Sequence, residues 1–207
     1  MQDFLAENPS EQPSALFANL GFMDSQFPLL NSVINETLRL CSNGTSVREV
    51  INDVVLQVPL SDYAGHSGSS KGSRDVLFKK GDIIYMPNRY FHLNPAEFAD
   101  PEVFDPKRFA EDKPSKSSRP GTFLPFGGGT SVCSGRFLAN AELKSLIIIL
   151  LRYFDVSYVG VVDAEGNISK GGKPQPYGHP VPPYQDGSGS AILHPTGDMR
   201  VSFKPRK

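Results

Sequence analysis

The spacing of apolar residues changes character at Gly44. Upstream, in SQFPLLNSVINETLRLCSNG (25–44), Leu29, Leu30, Val33, Ile34, Leu38 and Cys41 recur at intervals of three and four, which predicts an amphipathic helix. Pro28 suits the first turn of that helix. Asn43-Gly44 tolerates left-handed backbone and is the expected stop. Downstream, TSVREVINDVVLQVP (45–59) is rich in β-branched residues, and RDVLFKKGDIIYMP (74–87) reads as two strands around a Lys-Gly-Asp turn. SDYAGHSGSSKGS (61–73) between them is a Gly/Ser-rich loop. NRYFHLN (88–94) reads as one short helix. Residues 95–125 are proline-rich with little periodicity, and a stretch of that length inside a compact domain is often functional or pinned to something. A helix is predicted from about Gly135 to Phe154. Its apolar positions, Phe137, Leu138, Ala141, Leu143, Leu146, Ile147, Ile149, Leu150 and Leu151, run round it and predict burial on most sides. The tail, 155–207, alternates strand candidates (DVSYVGVV, AILHP, MRVSFK) with Gly/Pro turns. Residues 1–24 are patterned weakly, as the remnant of a preceding helix and its loop. The class expected is α+β, and 1–207 is read as a single partial domain.

Composition narrows the function classes. The chain of 207 residues carries 21 basic and 22 acidic side chains, for a formal net charge of -1. That balance argues against a nucleic-acid partner or an anionic membrane surface. The N-terminus lacks a basic-then-apolar signal pattern. The longest apolar run, LIIILL (146–151), is far short of the ~20 residues that span a bilayer. No targeting or membrane segment is therefore read in the chain. The two cysteines, Cys41 and Cys133, do not make a disulfide framework. Cys41 sits on the apolar stripe of the first helix and reads as core.

Cys133 has a different setting. In FLPFGGGTSVCSGRFLA (123–139) it ends a glycine-rich turn just ahead of a helix. Backbone N–H groups and the helix dipole favour a thiolate at such a place. Gly127, Gly128, Gly129 and Gly135 permit positive φ and close approach of a large flat object. Taken alone, the turn leaves open an inert capping cysteine, a nucleophile or a metal ligand. The spacing of Phe126, Gly129, Cys133 and Gly135 is F-x-x-G-x-x-x-C-x-G. With it the stretch resembles the cysteine-ligand loop of the cytochrome P-450 superfamily, the haem-thiolate monooxygenases.

Two further motifs follow the family's order. ETLR places Glu36 and Arg39 three apart on the helix that precedes the strands, as E-x-x-R does in the family. FDPKRF resembles the family's aromatic-arginine segment and supplies Arg108. The resemblance implies a Glu36–Arg39–Arg108 network, structural in role, whose charged bidentate bonds hold the cysteine loop in place. On residues alone, Glu36 and Arg39 read equally as a solvated ion pair.

The resemblance also implies the C-terminal part of the cytochrome P-450 fold: E-x-x-R helix, small β-sheet, meander, Cys-ligand loop, long buried helix and terminal β-hairpins. It implies haem b with iron bound by the Cys133 thiolate, where electron donation assists O–O cleavage. Phe126, Gly127, Gly129 and Gly135 are the cofactor-binding residues it carries over. Arg48, on the strand after the helix, is expected to pair with a haem propionate. No catalytic residue is assigned. Ser131 departs from the family, where Arg or His often stands two residues before the cysteine. A small polar residue there resembles the branch of the sterol 7α/12α-hydroxylases and prostacyclin synthase.

The activity implied is hydroxylation of an apolar, sterol- or lipid-like substrate with O2 and electrons from an NADPH-dependent reductase. Alternatives are a haem-thiolate isomerase or dehydratase, and a non-catalytic truncated product. Full-length relatives are typically on the cytosolic face of the endoplasmic reticulum membrane. The family's oxygen-activation helix lies before the E-x-x-R helix, so the chain is expected to be a C-terminal fragment, inactive alone. His66, His92, His179 and His194 show no zinc spacing, and His92 is read as structural. Residues 43–47 and the tip at 189–193 are regions that the resemblance places near substrate.

Overall fold

The computed structural model describes residues 26–59, 72–110, 122–163, 165–169 and 198–206. The chain divides into two compact units, Thr45–Met86 on one hand and the residues up to Gly44 and from Pro87 onward on the other. The AILHP strand candidate, most of the Gly/Ser loop, the 189–193 tip, His66, His179, His194 and the 1–24 segment lie outside the described residues.

In the larger unit, helix α1 spans Pro28–Cys41 with proline in its first turn. Its periodicity is helical as predicted, yet its most buried face is largely polar. Ser32, Glu36 and Arg39 are buried there with Leu40 at the edge of the face, Ile34 is buried on the opposite side, Leu29 is exposed and Cys41 is only half-buried. The stop differs from the expected one. Ser42 leaves the helix in an extended conformation (φ -72°, ψ 123°) with its N–H still donating to Leu38 O at 2.9 Å. Gly44 is not left-handed. Its carbonyl instead accepts the Asn88 N–H at 2.9 Å, which fixes the chain without a left-handed cap.

Strands β1 (Thr45–Glu49), β2 (Val54–Pro59), β3 (Ser73–Phe78) and β4 (Ile83–Pro87) form the smaller unit. The Lys-Gly-Asp turn does join β3 to β4, but these two strands do not pair with each other. β3 pairs antiparallel with β2, from Val54 opposite Phe78 to Pro59 opposite Ser73, and β4 pairs with β1. The reason lies at the corner. Val50 N–H donates to Asp82 O (2.9 Å), Gly81 N–H to Val50 O (2.8 Å) and Lys80 N–H to Asp53 Oδ1 (2.8 Å). Those bonds lead one ladder into the other. Gly81, at φ 91°, supplies the left-handed residue.

Helix α2 covers Asn88–His92. The meander after it packs an aromatic cluster. Phe98 is buried, Phe109 lies 4.7 Å from Phe123 between ring centroids, and Phe123 lies 5.6 Å from the His92 ring. A short 3-10 turn at Gly129–Ser131 precedes α3, Arg136–Tyr153. The length of α3 is as predicted, but its expected burial on most sides is not observed. Lys144 and Ile148 are its buried residues, and Phe137 and Leu138 are each 63% exposed. α1 and β5 (Phe154–Val162), the described elements packed most against α3, cover only part of a helix that is apolar nearly all round. β5 is central in a sheet with β6 (Ile168–Ser169) and β7 (Asp198–Pro205), antiparallel to both. A register shift between Tyr158 and Gly160 marks a bulge. A Cβ at Gly160 would come within 2.5 Å of Ile168 Cγ2 and 2.7 Å of Ser169 O, so only glycine lets β6 approach.

Candidate functional site

The polar face of α1 is where the sequence-predicted charged residues meet. Glu36 and Arg39 are three apart, so both side chains point to the same side. Both are 0% exposed, which excludes the solvated pair. Arg39 donates from Nε to Glu36 Oε2 and from Nη2 to Oε1, each at 2.8 Å. Arg108 approaches from the meander, its Nε 3.0 Å from both carboxylate oxygens. The Asp105 N–H adds a bond to Oε1 at 2.9 Å. Two guanidinium groups on one carboxylate leave donors to spare, and these go to backbone carbonyls. Arg39 reaches His92 O (2.8 Å), Pro101 O (2.6 Å) and Val103 O (3.4 Å). Arg108 reaches Ala99 O (2.7 Å), Val103 O (3.0 Å) and Asp100 O (3.3 Å). Asp100, at φ 45°, is thereby held in a conformation that few non-glycine residues adopt. The network therefore fastens the meander, whereas the sequence pointed to the cysteine loop.

The cysteine loop is fastened by neutral groups. Its entry, Phe123–Pro125, passes the start of α2. His92, fully buried, accepts the Leu124 N–H on Nε2 at 2.9 Å, and its Nδ1–H donates to Arg39 O at 3.1 Å. Buried Asn88 donates from Nδ2 to Leu124 O at 2.8 Å. Buried Ser42 adds a long bond from Oγ to Pro125 O, 3.4 Å. Burial pushes the His92 ring down from 6.5 to about 4. The bond to the Arg39 carbonyl opposes this, and the charges of Arg39 and Arg89 add to it. Sequence reading assigned His92 a structural place and passed over Asn88 and Ser42. The one available signal was Asn88 and His92 four apart, a polar pair on one face of a short helix.

Beyond Pro125 the chain turns back on itself. Gly127 (φ 77°) and Gly129 (φ 62°) use left-handed backbone. Gly128 is extended at φ -150° and Gly135 is helical at φ -77°. Only two of the four glycines thus exercise the freedom expected of them. The Cys133 N–H donates to Phe126 O at 2.9 Å, which closes the loop. The Cys133 carbonyl accepts from Arg136, through its N–H at 3.4 Å and its Nη1 at 3.0 Å. The backbone on both sides of Cys133 is therefore held, while the thiol is free and the residue exposed. Exposed Val132 precedes it, and exposed Phe137 and Leu138 follow on the first turn of α3. Arg48 lies on β1 in the smaller unit, where its Nη1 donates to Val47 O at 2.8 Å.

A model of the family described as Cytochrome P450 matches residues 69–177, which include Arg108, Phe126 and Cys133. The chain belongs to the cytochrome P450 family. Its curated relatives include the 25-hydroxycholesterol 7-alpha-hydroxylase of Rattus norvegicus, 36% identical over 63% of this chain and 30% of that protein. They also include the cholesterol 7-alpha-monooxygenase of Cricetulus griseus, 29% identical over 87% of this chain and 32% of that protein. Among solved structures, a retinoic acid-bound cyanobacterial CYP120A1 superposes with a TM-score of 0.59 at 24% identity. It covers 88% of this chain and 33% of that one, and shows the shared fold. The chain spans about a third of the length of these P450 relatives.

P450 enzymes are haem-thiolate proteins with a cysteine as axial ligand to the iron. The residues present fit that group. Among the described residues no cluster of three His, Cys, Asp or Glu could hold a bare metal ion. A porphyrin brings four nitrogen ligands of its own and asks the protein for an axial one, which the Cys133 thiol can supply. A free thiol on a turn that closes through its own backbone, bordered by exposed apolar side chains, suits a flat apolar macrocycle. No helix among the described residues is long and apolar enough to cross a membrane.

Proposed function

We propose that Cys133 is the axial thiolate of a haem b group, and that the chain forms the proximal part of a monooxygenase acting on an apolar, sterol-like substrate. The observation that carries this reading is the free, exposed thiol of Cys133 on a loop whose backbone is fixed on both sides. Haem, when bound, supplies the activation of molecular oxygen. The chain's own residues do the holding. Phe126 O fixes the Cys133 N–H, Arg136 fixes its carbonyl, and the left-handed Gly127 and Gly129 keep side-chain bulk away from the turn. Phe126 contributes apolar surface. Gly135 lies next to the sulfur: a Cβ there would stand 3.7 Å from Sγ, in ordinary contact. Glu36, Arg39 and Arg108 serve as framework and take no part in the chemistry.

Arg48 is proposed as a propionate partner, supported by its place on the strand after the Glu36–Arg39 helix. A sterol-like substrate is supported by the names of two relatives, a 25-hydroxycholesterol 7-alpha-hydroxylase and a cholesterol 7-alpha-monooxygenase. An NADPH-dependent reductase as electron donor, and a place on the cytosolic face of the endoplasmic reticulum, follow from the same resemblance. The test is haem titration of the purified chain, with the spectrum of the ferrous carbon monoxide adduct as readout. A thiolate-type band that disappears in Cys133→Ala is the expected result. The same spectrum in both proteins would overturn the assignment.

A further inference from the structure

The hydrogen bonds of the charged cluster run among Glu36, Arg39 and Arg108, to His92, and to backbone between residues 99 and 105. Arg39 and His92 are joined twice. The guanidinium donates to His92 O at 2.8 Å and the ring donates back to Arg39 O at 3.1 Å. From His92 the path continues to the Leu124 N–H. Two residues later, Phe126 O receives the Cys133 N–H. Apart from the covalent step from Leu124 to Phe126, every link in this path is a hydrogen bond with a defined direction. The Arg39 carbonyl can only accept, so Nδ1 carries the proton. Leu124 offers an N–H, so Nε2 must present its lone pair.

We infer that His92, as a neutral ring protonated on Nδ1, is the positioning residue of the Cys133 loop, coupling the buried charged cluster to the loop through Leu124. This deepens the haem-ligand reading and rests on it for its chemical consequence. A ring protonated on both nitrogens would turn Nε2 into a donor aimed at the Leu124 N–H, and the entry of the loop would lose that anchor. Arg39 and Arg89, the cationic groups that face the ring, resist that state together with burial. Asn88, which holds Leu124 O, cannot replace the lost bond, because it engages the other side of the same peptide chain.

The test uses two isosteric amides. Asparagine places its nitrogen near Nδ1 of histidine and retains the donor to Arg39 O. Glutamine places an oxygen near Nε2 and retains the acceptor for Leu124. Amide hydrogen exchange of the chain without haem is measured in both variants and in the unsubstituted protein. His92→Asn is expected to speed exchange at Leu124 and Cys133 about tenfold relative to His92→Gln, with the α1 amides alike in both. Equal exchange at Leu124 and Cys133 in the two variants would overturn the inference. If either variant fails to fold, nitrogen NMR of the histidine rings in the unsubstituted chain decides. A neutral ring protonated on Nδ1 supports the inference, and an Nε2–H ring sinks it. With haem added, His92→Asn is expected to lower the share of thiolate-type carbon monoxide spectrum and His92→Gln to restore it. If Cys133→Ala keeps that spectrum, the ligand assignment fails, while the exchange result still judges His92.

Discussion

Acid should weaken this fold through one buried ring. In the folded chain His92 takes a proton only at about pH 4, against 6.5 for the ordinary side chain. The unfolded chain therefore binds the proton first as pH falls. The contribution of His92 is fully present above about pH 6.5, declines below it, and is exhausted near pH 4. The gap of two and a half units, at about 1.36 kcal/mol per unit, bounds the loss at about 3 kcal/mol. At pH 5 the unfolded ring is almost fully protonated and the folded ring almost fully neutral, so about 2 kcal/mol of that loss has already occurred. Urea unfolding, followed by circular dichroism at pH 7.5 and pH 5.0, measures it. His92→Gln supplies the comparison, because it keeps a hydrogen-bonding side chain and does not titrate. The unsubstituted protein is expected to lose about 2 kcal/mol more than His92→Gln between the two pH values. The other three histidines are the same in both proteins and cancel. Equal losses would refute the reasoning, since the ring would then be solvated or already charged at neutral pH.

Three further outcomes follow from the geometry. Glu36→Ala strands two guanidinium groups, one fully buried, and is expected to cost about 3–5 kcal/mol in the same urea assay, with Glu36→Gln recovering only part of it. Gly129→Ala meets nothing within 4 Å but must adopt φ 62°, so its cost is conformational. About 1–2 kcal/mol is expected, and Gly128→Ala gives the comparison of an extended residue whose Cβ touches the Leu124 side chain at 3.1 Å. Gly160→Ala drives a methyl against Ile168 and the Ser169 carbonyl. It is expected to release β6, seen as fast amide exchange at residues 168–169 with β7 still protected.

Much of the secondary structure was legible because it depends on local periodicity. The three- and four-residue spacing from Leu29 to Cys41 and the apolar run after Gly135 gave α1 and α3 nearly to their ends. Partner choice was not legible. β3 and β4 are neighbours in sequence, but bonds from Val50, Gly81 and Lys80 at a corner decide which strands they join. Burial misled in both directions. The apolar character of α3 was visible, but exposure depends on which neighbours cover it. Glu36 and Arg39 look like surface residues until Arg108, about 70 positions on, arrives to share their charge. At the site, Cys133 was conspicuous because cysteine, glycine and aromatic residues stand at fixed intervals. Its neutral fastening was hidden, since His92 and Leu124 meet only through folding, 32 residues apart.

The arginines of the cluster grip backbone carbonyl oxygens, at His92 in α2 and at Ala99, Asp100, Pro101 and Val103 in the meander. Every amino acid carries a carbonyl. The anchors therefore recognise the path of the chain and are blind to most of the side chains along it. Apart from position 100, whose φ of 45° favours Asp, Asn or Gly, the segment from 99 to 103 is free to drift in composition wherever the side chain is not itself packed, but not in length. Losing or gaining a single residue there shifts every oxygen out of reach of a donor that cannot follow. Variation among related proteins, and libraries built on this one, are expected to show substitutions in this segment and no insertions or deletions.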